Sequence, residues 1–406
     1  GQSNGVGLTL YNYGTITSAH ETIWLGSGAS GNHRSKGLKI YNYDGGIIKT
    51  TDEGDSPIKA FHVVDFELVN YEGGTIEGAD RHAVNTEQSE NINFTNHGTI
   101  TAADKSAFYC KTCPDTTFIN TGTMSGGNNA VVISHGDNTT ITNSGTITAT
   151  AANSGMSINQ SDGTVVNNTG TISGVDHGMQ SSNVDNSTIT NHGTISASSN
   201  SGYGLLYEND GTNRVNNTLN NYGTISATSG SFADGIGIGR GAFPMFNITI
   251  NNYGTISGSD DSIKMLNSSN TGINIVTKGD GTYVGEINLN DSSTTMTLDC
   301  SISKDQKIEI HNKTNMVVTN NLCGNDTYEI LDSNSDPDSD NSETNGFLYV
   351  YGEDLDIDSH NKKYRSEIFL SNLNDIFSSV SEEKNSSGYY SVKKRDNIYK
   401  SETSGV

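Results

Sequence analysis

Apolar positions in the first 256 residues recur in fixed relation to a short polar motif rather than at helical spacing. The motif is Asn-x-Gly-Thr-Ile, at residues 12–16, 96–100, 143–147, 168–172, 191–195, 221–225 and 252–256. Residues 120–124 carry Met in the last place, and 42–48 and 70–76 carry an insertion before the Gly. Successive copies end 23 to 32 residues apart. Two positions before each Asn stands an apolar residue: Leu10, Ile40, Leu68, Phe94, Phe118, Ile141, Val166, Ile189, Leu219 and Ile250. Side chains two apart on a strand share a face, so this residue and the Asn point the same way. The Gly makes a bend and the Ile opens the next short strand. One repeat has too few apolar residues to bury itself, whereas stacked repeats bury a continuous column. Twenty-odd residues at roughly 3.3 Å each close one coil of three short strands, with coils about 4.8 Å apart. The pattern predicts an all-β chain: a right-handed parallel β-helix of roughly 12–14 coils over residues 1–325.

Each motif is followed by a small pair and then by Asp or Asn: Asp80, Asp104, Asn128, Asn153, Asp176, Asn200, Asp234 and Asp261. A third strand comes next, as at 131–133, 156–158, 236–238 and 263–265. An Asp or Asn before a strand suits an Asx-turn. The competing reading is a rail of calcium-ligating oxygens. The turn is favoured, because the Asn members add no charge and the Gly-Gly-x-Gly-x-Asp nonapeptide of calcium β-rolls is missing. No cofactor is expected. Residues 26–36, 50–57, 229–234 and 239–244 read as insertions projecting at turns. From 272 the Asn motif stops, but 284–289, 295–298, 307–310 and 316–318 still alternate, which predicts about three further coils. Residues 326–406 read as a C-terminal cap. It comprises an acidic loop at 331–345, a strand at 347–351 and an amphipathic helix. Phe369, Leu373, Ile376, Phe377 and Val380 mark the helix, whose apolar face would cover the open end of the solenoid.

Composition sharpens this picture. Of 406 residues, 32% are hydrophobic, 46 are Gly and 4 are Pro. That is a thin core for a globule, yet periodic Ile, Val and Leu do not belong in a disordered chain; a solenoid with one narrow core removes the conflict. The net charge of −23 excludes nucleic acid and anionic membrane as partners. No apolar run reaches the roughly 18 residues of a membrane span. No signal peptide is recognisable, and Gly1-Gln2-Ser3-Asn4 reads as a trimmed start. Between Lys111 and Arg214 there is no Lys or Arg, so that stretch predicts an exterior of Ser, Thr, Asn and Gly.

Candidate chemistry is sparse. The residue after each motif Asn faces outward: Tyr13, Tyr43, Tyr71, His97, Thr121, Ser144, Thr169, His192, Tyr222 and Tyr253. These tyrosines form a rail that either binds a sugar or partner surface or packs on itself. Trp24 and His33, in or beside the first insertion, belong to the same candidate binding surface. Cys110 and Cys113 form a CxxC, and Cys300 and Cys323 are one repeat length apart. Stacked coils would bring the second pair within disulfide reach, so both pairs are expected as disulfides. A zinc site or a redox CxxC is the alternative reading. Gly54-Asp55-Ser56 resembles the serine block of Gly-Asp-Ser-Leu esterases and trypsin-like proteases, but Pro57 follows and no partner is recognisable. His62 and His82 lie on third strands. Asp80-Arg81-His82 and Asp260-Asp261 with Lys264 are the best clusters for a polysaccharide-cleaving site, and neither has a spacing that specifies chemistry.

The repeated Asn-x-Gly-Thr-Ile-Ser/Thr, followed by 284–289 and 294–298, resembles the passenger domain of a Gram-negative autotransporter (type V secretion) over residues 8–325. The resemblance implies a Sec signal before the passenger and an outer-membrane translocator barrel after it. It also implies a bacterial-surface or extracellular location and folding from the C-terminal end. It implies no catalytic residue here, because the N-terminal protease domain of one subgroup is lacking. The expected function is therefore adhesion rather than catalysis, toward a host-cell glycan, a matrix protein or another copy. A polysaccharide-cleaving enzyme or a toxin-like passenger is the alternative. Asn385, preceded by Glu383, fits a bacterial N-glycosylation acceptor.

Overall fold

The computed structural model describes residues 7–26, 35–51, 54–151, 153–211, 214–303, 306–324, 326–332 and 346–351. All belong to one compact unit, Gly1–Gly352. His33, most of the 331–345 loop, the 369–380 helix and Asn385 lie outside the described residues. The fold is a parallel β-solenoid of about 11 turns. Among the described residues there is no helix.

Two long sheets run the length of the stack. One collects the strands that end on the motif Asn, from Thr9–Asn12 through Asn93–Asn96 to Thr249–Asn252. The other collects the strands that open at the motif Thr and those that follow, such as Thr123–Gly126 and Val131–Ser134. The register is strict where the motif is strict. Phe118 lies opposite Ile141, Ile141 opposite Val166 and Val166 opposite Ile189. All four are buried, in file inside the coil. Each contributes roughly 1.5–3 kcal/mol by leaving water.

The motif Asn side chains form a second interior file. Asn12 Nδ2 donates to Asn42 Oδ1 at 2.7 Å, and the chain of amides continues through Asn70, Asn96, Asn120, Asn143, Asn168, Asn191 and Asn221 to Asn252 at 2.7–2.9 Å. Each inner Nδ2 also reaches the carbonyl of its own motif Gly, as Asn143 does at 3.3 Å. Buried amides are thereby satisfied without water. The motif Gly is required for a different reason. A Cβ on Gly145 would stand 2.1 Å from the Gly122 carbonyl oxygen, and Gly122, Gly170, Gly193, Gly223 and Gly254 are placed alike. Glycines stack on glycines, and the space between coils admits no side chain.

The corners before the strands that end on the motif Asn hold residues at positive φ. Asp65, Asn91, Asp115, Asn138, Asn186, Asn216 and Asn247 lie between +52° and +61°, and Gly163 and Gly272 take the same place in their coils. Asp, Asn and Gly are the residues that tolerate this conformation.

The stack changes character near residue 271. Thr255–Met265 is one strand of 11 residues that pairs in regular register with the preceding coil and in bulged register with Thr282–Asn288. The strands beyond it, Thr271–Thr277, Thr282–Asn288 and Ser293–Asp299, have 7 residues each. Thr277 and then Leu298 take the place of the motif Asn. The turn count falls short of the 12–14 expected because the last described strand does not continue the coil. Gly346–Tyr351 pairs antiparallel with both Gln306–His311 and Thr327–Asp332, which closes the second sheet instead of extending the parallel stack. Both cysteine pairs come within disulfide distance: Cα–Cα is 5.9 Å for Cys110–Cys113 and 4.7 Å for Cys300–Cys323.

Candidate functional site

The outward residues after the motif Asn form two aromatic stacks. Tyr13, Tyr43 and Tyr71 stack at 4.5 and 4.6 Å with rings within 7° of parallel. His97 follows, tilted, at 6.4 Å. Thr121, Ser144 and Thr169 then interrupt the file, all exposed. His192, Tyr222 and Tyr253 stack again at 4.5 Å, and Lys278 Nζ lies 5.3 Å from the Tyr253 ring. The coil spacing causes the stacking, since rings on equivalent positions are held nearly one ring thickness apart. Inner rings therefore have both faces covered. A sugar that needs an open aromatic face finds it at the exposed Tyr13, while the remaining rings present hydroxyl edges. Desolvation and the neighbouring phenols raise the Tyr43 and Tyr222 hydroxyls above their ordinary pKa, so they remain neutral donors.

Trp24 lies on a different strand, Ile23–Gly26, and is exposed. Lys59 Nζ sits 4.9 Å over its ring and 3.1 Å from Glu21. The structure thus separates Trp24 from the Tyr file.

The acids at 260–261 assemble with a third from the preceding coil. Lys264 Nζ lies 2.8 Å from Asp260, 3.0 Å from Asp261 and 3.5 Å from Asp234. Asp234 Oδ1 also accepts the Asp261 backbone N–H at 3.1 Å. Burial pushes Asp234 up to about 6 and raises Asp261 as well. Tyr203 lies across Gly237, where a Cβ would meet its ring at 2.5 Å. Further along, Arg240 reaches Glu208 at 3.6 Å and His177 at 3.4 Å. His177 is buried, and its Nδ1 has no hydrogen-bond partner. Two and three coils beyond Asp234, His311 joins Glu286 at 2.7 Å and Glu309 at 3.8 Å.

Comparison with protein-family models, with curated proteins and with solved structures finds no match to this chain.

The remaining candidates resolve into structural contacts. His82 stacks on Tyr109 at 4.2 Å and accepts the Ser106 backbone N–H. Burial, with Lys105 and Arg81, lowers it to about 4, so it stays neutral. His62 contacts Gln88 and stacks on Phe61. Asp55 does have a partner, His20 at 3.1 Å, but Ser56 is buried. The Asx residues that follow the motif strands bond to neighbouring coils: Asp176 Oδ2 accepts the Asn153 N–H, and Asn200 Oδ1 the Ser231 N–H. This is turn and inter-coil chemistry. Asp234 and Asp261, both buried, already hold an ammonium. A groove of about 530 Å³ crosses the outside of the early coils, lined by Lys49, Glu77, Gly78, Ala102 and Ser125 among others.

Glu208, Tyr203, His177 and Arg240 went unread in the sequence. Their signal is positional: Ser154, His177, Tyr203, Asp234, Asp261 and Glu286 stand opposite one another in successive coils. Aligning third strands rather than motifs would have exposed that file.

Proposed function

We propose that the chain is a β-helical autotransporter passenger acting as an adhesin on the bacterial surface, with a right-handed coil of three strands per turn in the motif region. The observation that supports adhesion is the outward file itself: two stacked tyrosine groups flank a neutral stretch of the same file, Thr121, Ser144 and Thr169. In that stretch all three are exposed; Asp115 and Asp137 are exposed elsewhere on these coils, and no Lys or Arg occurs between 111 and 214. Such a face offers hydrogen-bond donors and acceptors at regular spacing with little desolvation of charge. It suits a host glycan, a matrix protein or the same face of a second copy. The translocator barrel is the partner expected during export.

The test combines sedimentation velocity over a concentration series with clumping and adhesion of cells displaying the chain. Concentration-dependent assembly or adhesion is expected, reduced when Tyr13, Tyr43 and Tyr71 are replaced together by Ser. A chain that stays monomeric throughout, on cells that neither clump nor adhere, would end the reading. An experimental map at side-chain resolution decides the hand of the coil.

A further inference from the structure

From the last coils of the Asn ladder onward, one charge arrangement occurs twice. In the first copy, Asp234 and Asp261 are neighbours along the stack, and Lys264 supplies the cation. Register carries the acid file onward from Asp261 to Glu286, and carries the Lys264 file to Asn288 and then His311. Glu309 stands beside Glu286 in the next coil, because Ile287 pairs with Ile310. Where the first copy has an ammonium, the second therefore has an imidazole.

We propose that Glu286, Glu309 and His311 form a binding site for a zinc-class divalent cation. One ligand atom from each lies within 4.8 Å of the others. Tetrahedral zinc with ligands at about 2.0–2.1 Å places them about 3.3 Å apart, which side-chain rotation reaches. The three side chains are 25–42% exposed, so an ion can enter from solvent. By contrast Asp234 and Asp261 are 2–3% exposed and closed around Lys264. Like charges side by side on neighbouring strands destabilise a sheet. Lys264 offsets that repulsion in the first copy, and a bound dication offsets it in the second. Two carboxylates and one nitrogen suit zinc better than calcium, which takes six to eight oxygens. Asn288 lies between the two groups in register, opposite Lys264 and His311; its Nδ2 donates to Asp261 at 3.5 Å and its Oδ1 accepts from Asn312 at 2.9 Å. Three protein ligands leave a fourth position open to water or to a group from another molecule.

The experiment is calorimetric titration of the full chain with Zn²⁺, alongside visible absorbance with Co²⁺ as the probe. One ion per chain is expected, with the intense cobalt bands of a four- or five-coordinate site. His311→Ala and Glu309→Gln should each weaken binding by about tenfold or more, whereas Asp234→Asn in the closed group should leave it unchanged. A hundredfold excess of Ca²⁺ should not compete. Glu309→Gln preserves shape, so it gives the answer if His311→Ala misfolds. Absence of binding in the native chain, or full affinity in Glu309→Gln, overturns the proposal.

Discussion

The coils that carry the Asn ladder and those beyond Thr271 solve one problem in two ways. In the first, mostly four-residue strands are locked by a buried amide file and by a file of closely stacked glycines, repeated from coil to coil. In the second, the strands are longer, Thr277 and Leu298 stand where the Asn stood, and charged groups and the Cys300–Cys323 pair appear. The ladder coils need no outside help, because each amide is satisfied by the next. Without it, the C-terminal coils rely on longer pairing, a cross-link and an antiparallel closing strand. A repeated polar contact inside the core thus fixes register more tightly than apolar burial, which tolerates Leu, Ile, Val or Phe.

Glycine provides the strongest way to break this contrast. Gly145→Ala places a Cβ 2.1 Å from a backbone oxygen of the adjoining coil, and neither backbone can yield without unstacking. A loss of about 3 kcal/mol or more is expected. Gly279→Ala, among the later coils, meets nothing nearer than Tyr253 at 3.9 Å and has φ +53°. It should cost about 1 kcal/mol for left-handed backbone. Thermal or denaturant melts of the two variants decide; equal losses would show that the coils move apart to relieve the 2.1 Å approach at Gly145.

The amide file comes next. Asn143→Ala removes the acceptor of Asn120 and the donor of Asn168, leaving two buried polar groups short of a partner, at about 2–3 kcal/mol. Thr277→Ala, at the position that succeeds the file, loses one bond to Tyr283 and should cost about 1 kcal/mol. If the two cost the same, the ladder does not distinguish the regions.

These contrasts also show what the sequence could reveal. The apolar and Asn files were legible because strand period and coil period act together, so one misplaced residue would move every partner. The corner residues were not. Asn138 and Asn186 pass as ordinary members of an Asn-rich chain, though both sit at positive φ. The tyrosine file was legible, but the covering of one ring face by the next exists only once the coils are stacked. Lys264 with Asp260 and Asp261 could be seen locally. Asp234 could be read in file with Asp261, though only as a turn residue; Glu286 and His311 could not be placed, because bulges between Thr255–Met265 and Thr282–Asn288 shift the register there.

The cross-link sharpens the comparison at the C-terminal side. Cys300→Ser, or reduction, opens a 23-residue connection and should cost about 2 kcal/mol. In a nearest-neighbour stack the loss stays local. Hydrogen exchange should therefore accelerate in Ser293–Asp299 and Met316–Asn321 and remain slow in the ladder strands. Faster exchange across the ladder as well would mean the two regions unfold as one.

The smallest effect tests the closed acid group at the border between the regions. The folded-state pKa of Asp234 is about 6, raised by burial from an unfolded value of 3.8. Below the unfolded value the group is protonated in both states, and its full relative stability is present. As pH rises from about 4 through about 6, the unfolded chain ionises first and that stability is lost. Between pH 5 and pH 7 the native chain should lose about 1 kcal/mol through this residue. Asp234→Asn cannot ionise and still leaves Lys264 with Asp260 and Asp261. The difference between the native and variant pH–stability curves isolates the carboxyl from every other titrating group. A variant that gains about 1 kcal/mol on the native chain between pH 5 and pH 7 marks Asp234 as a carboxylate held at a cost by its buried place. Parallel curves would mean that Lys264 fully offsets the burial, and that the border is no weaker than the coils on either side.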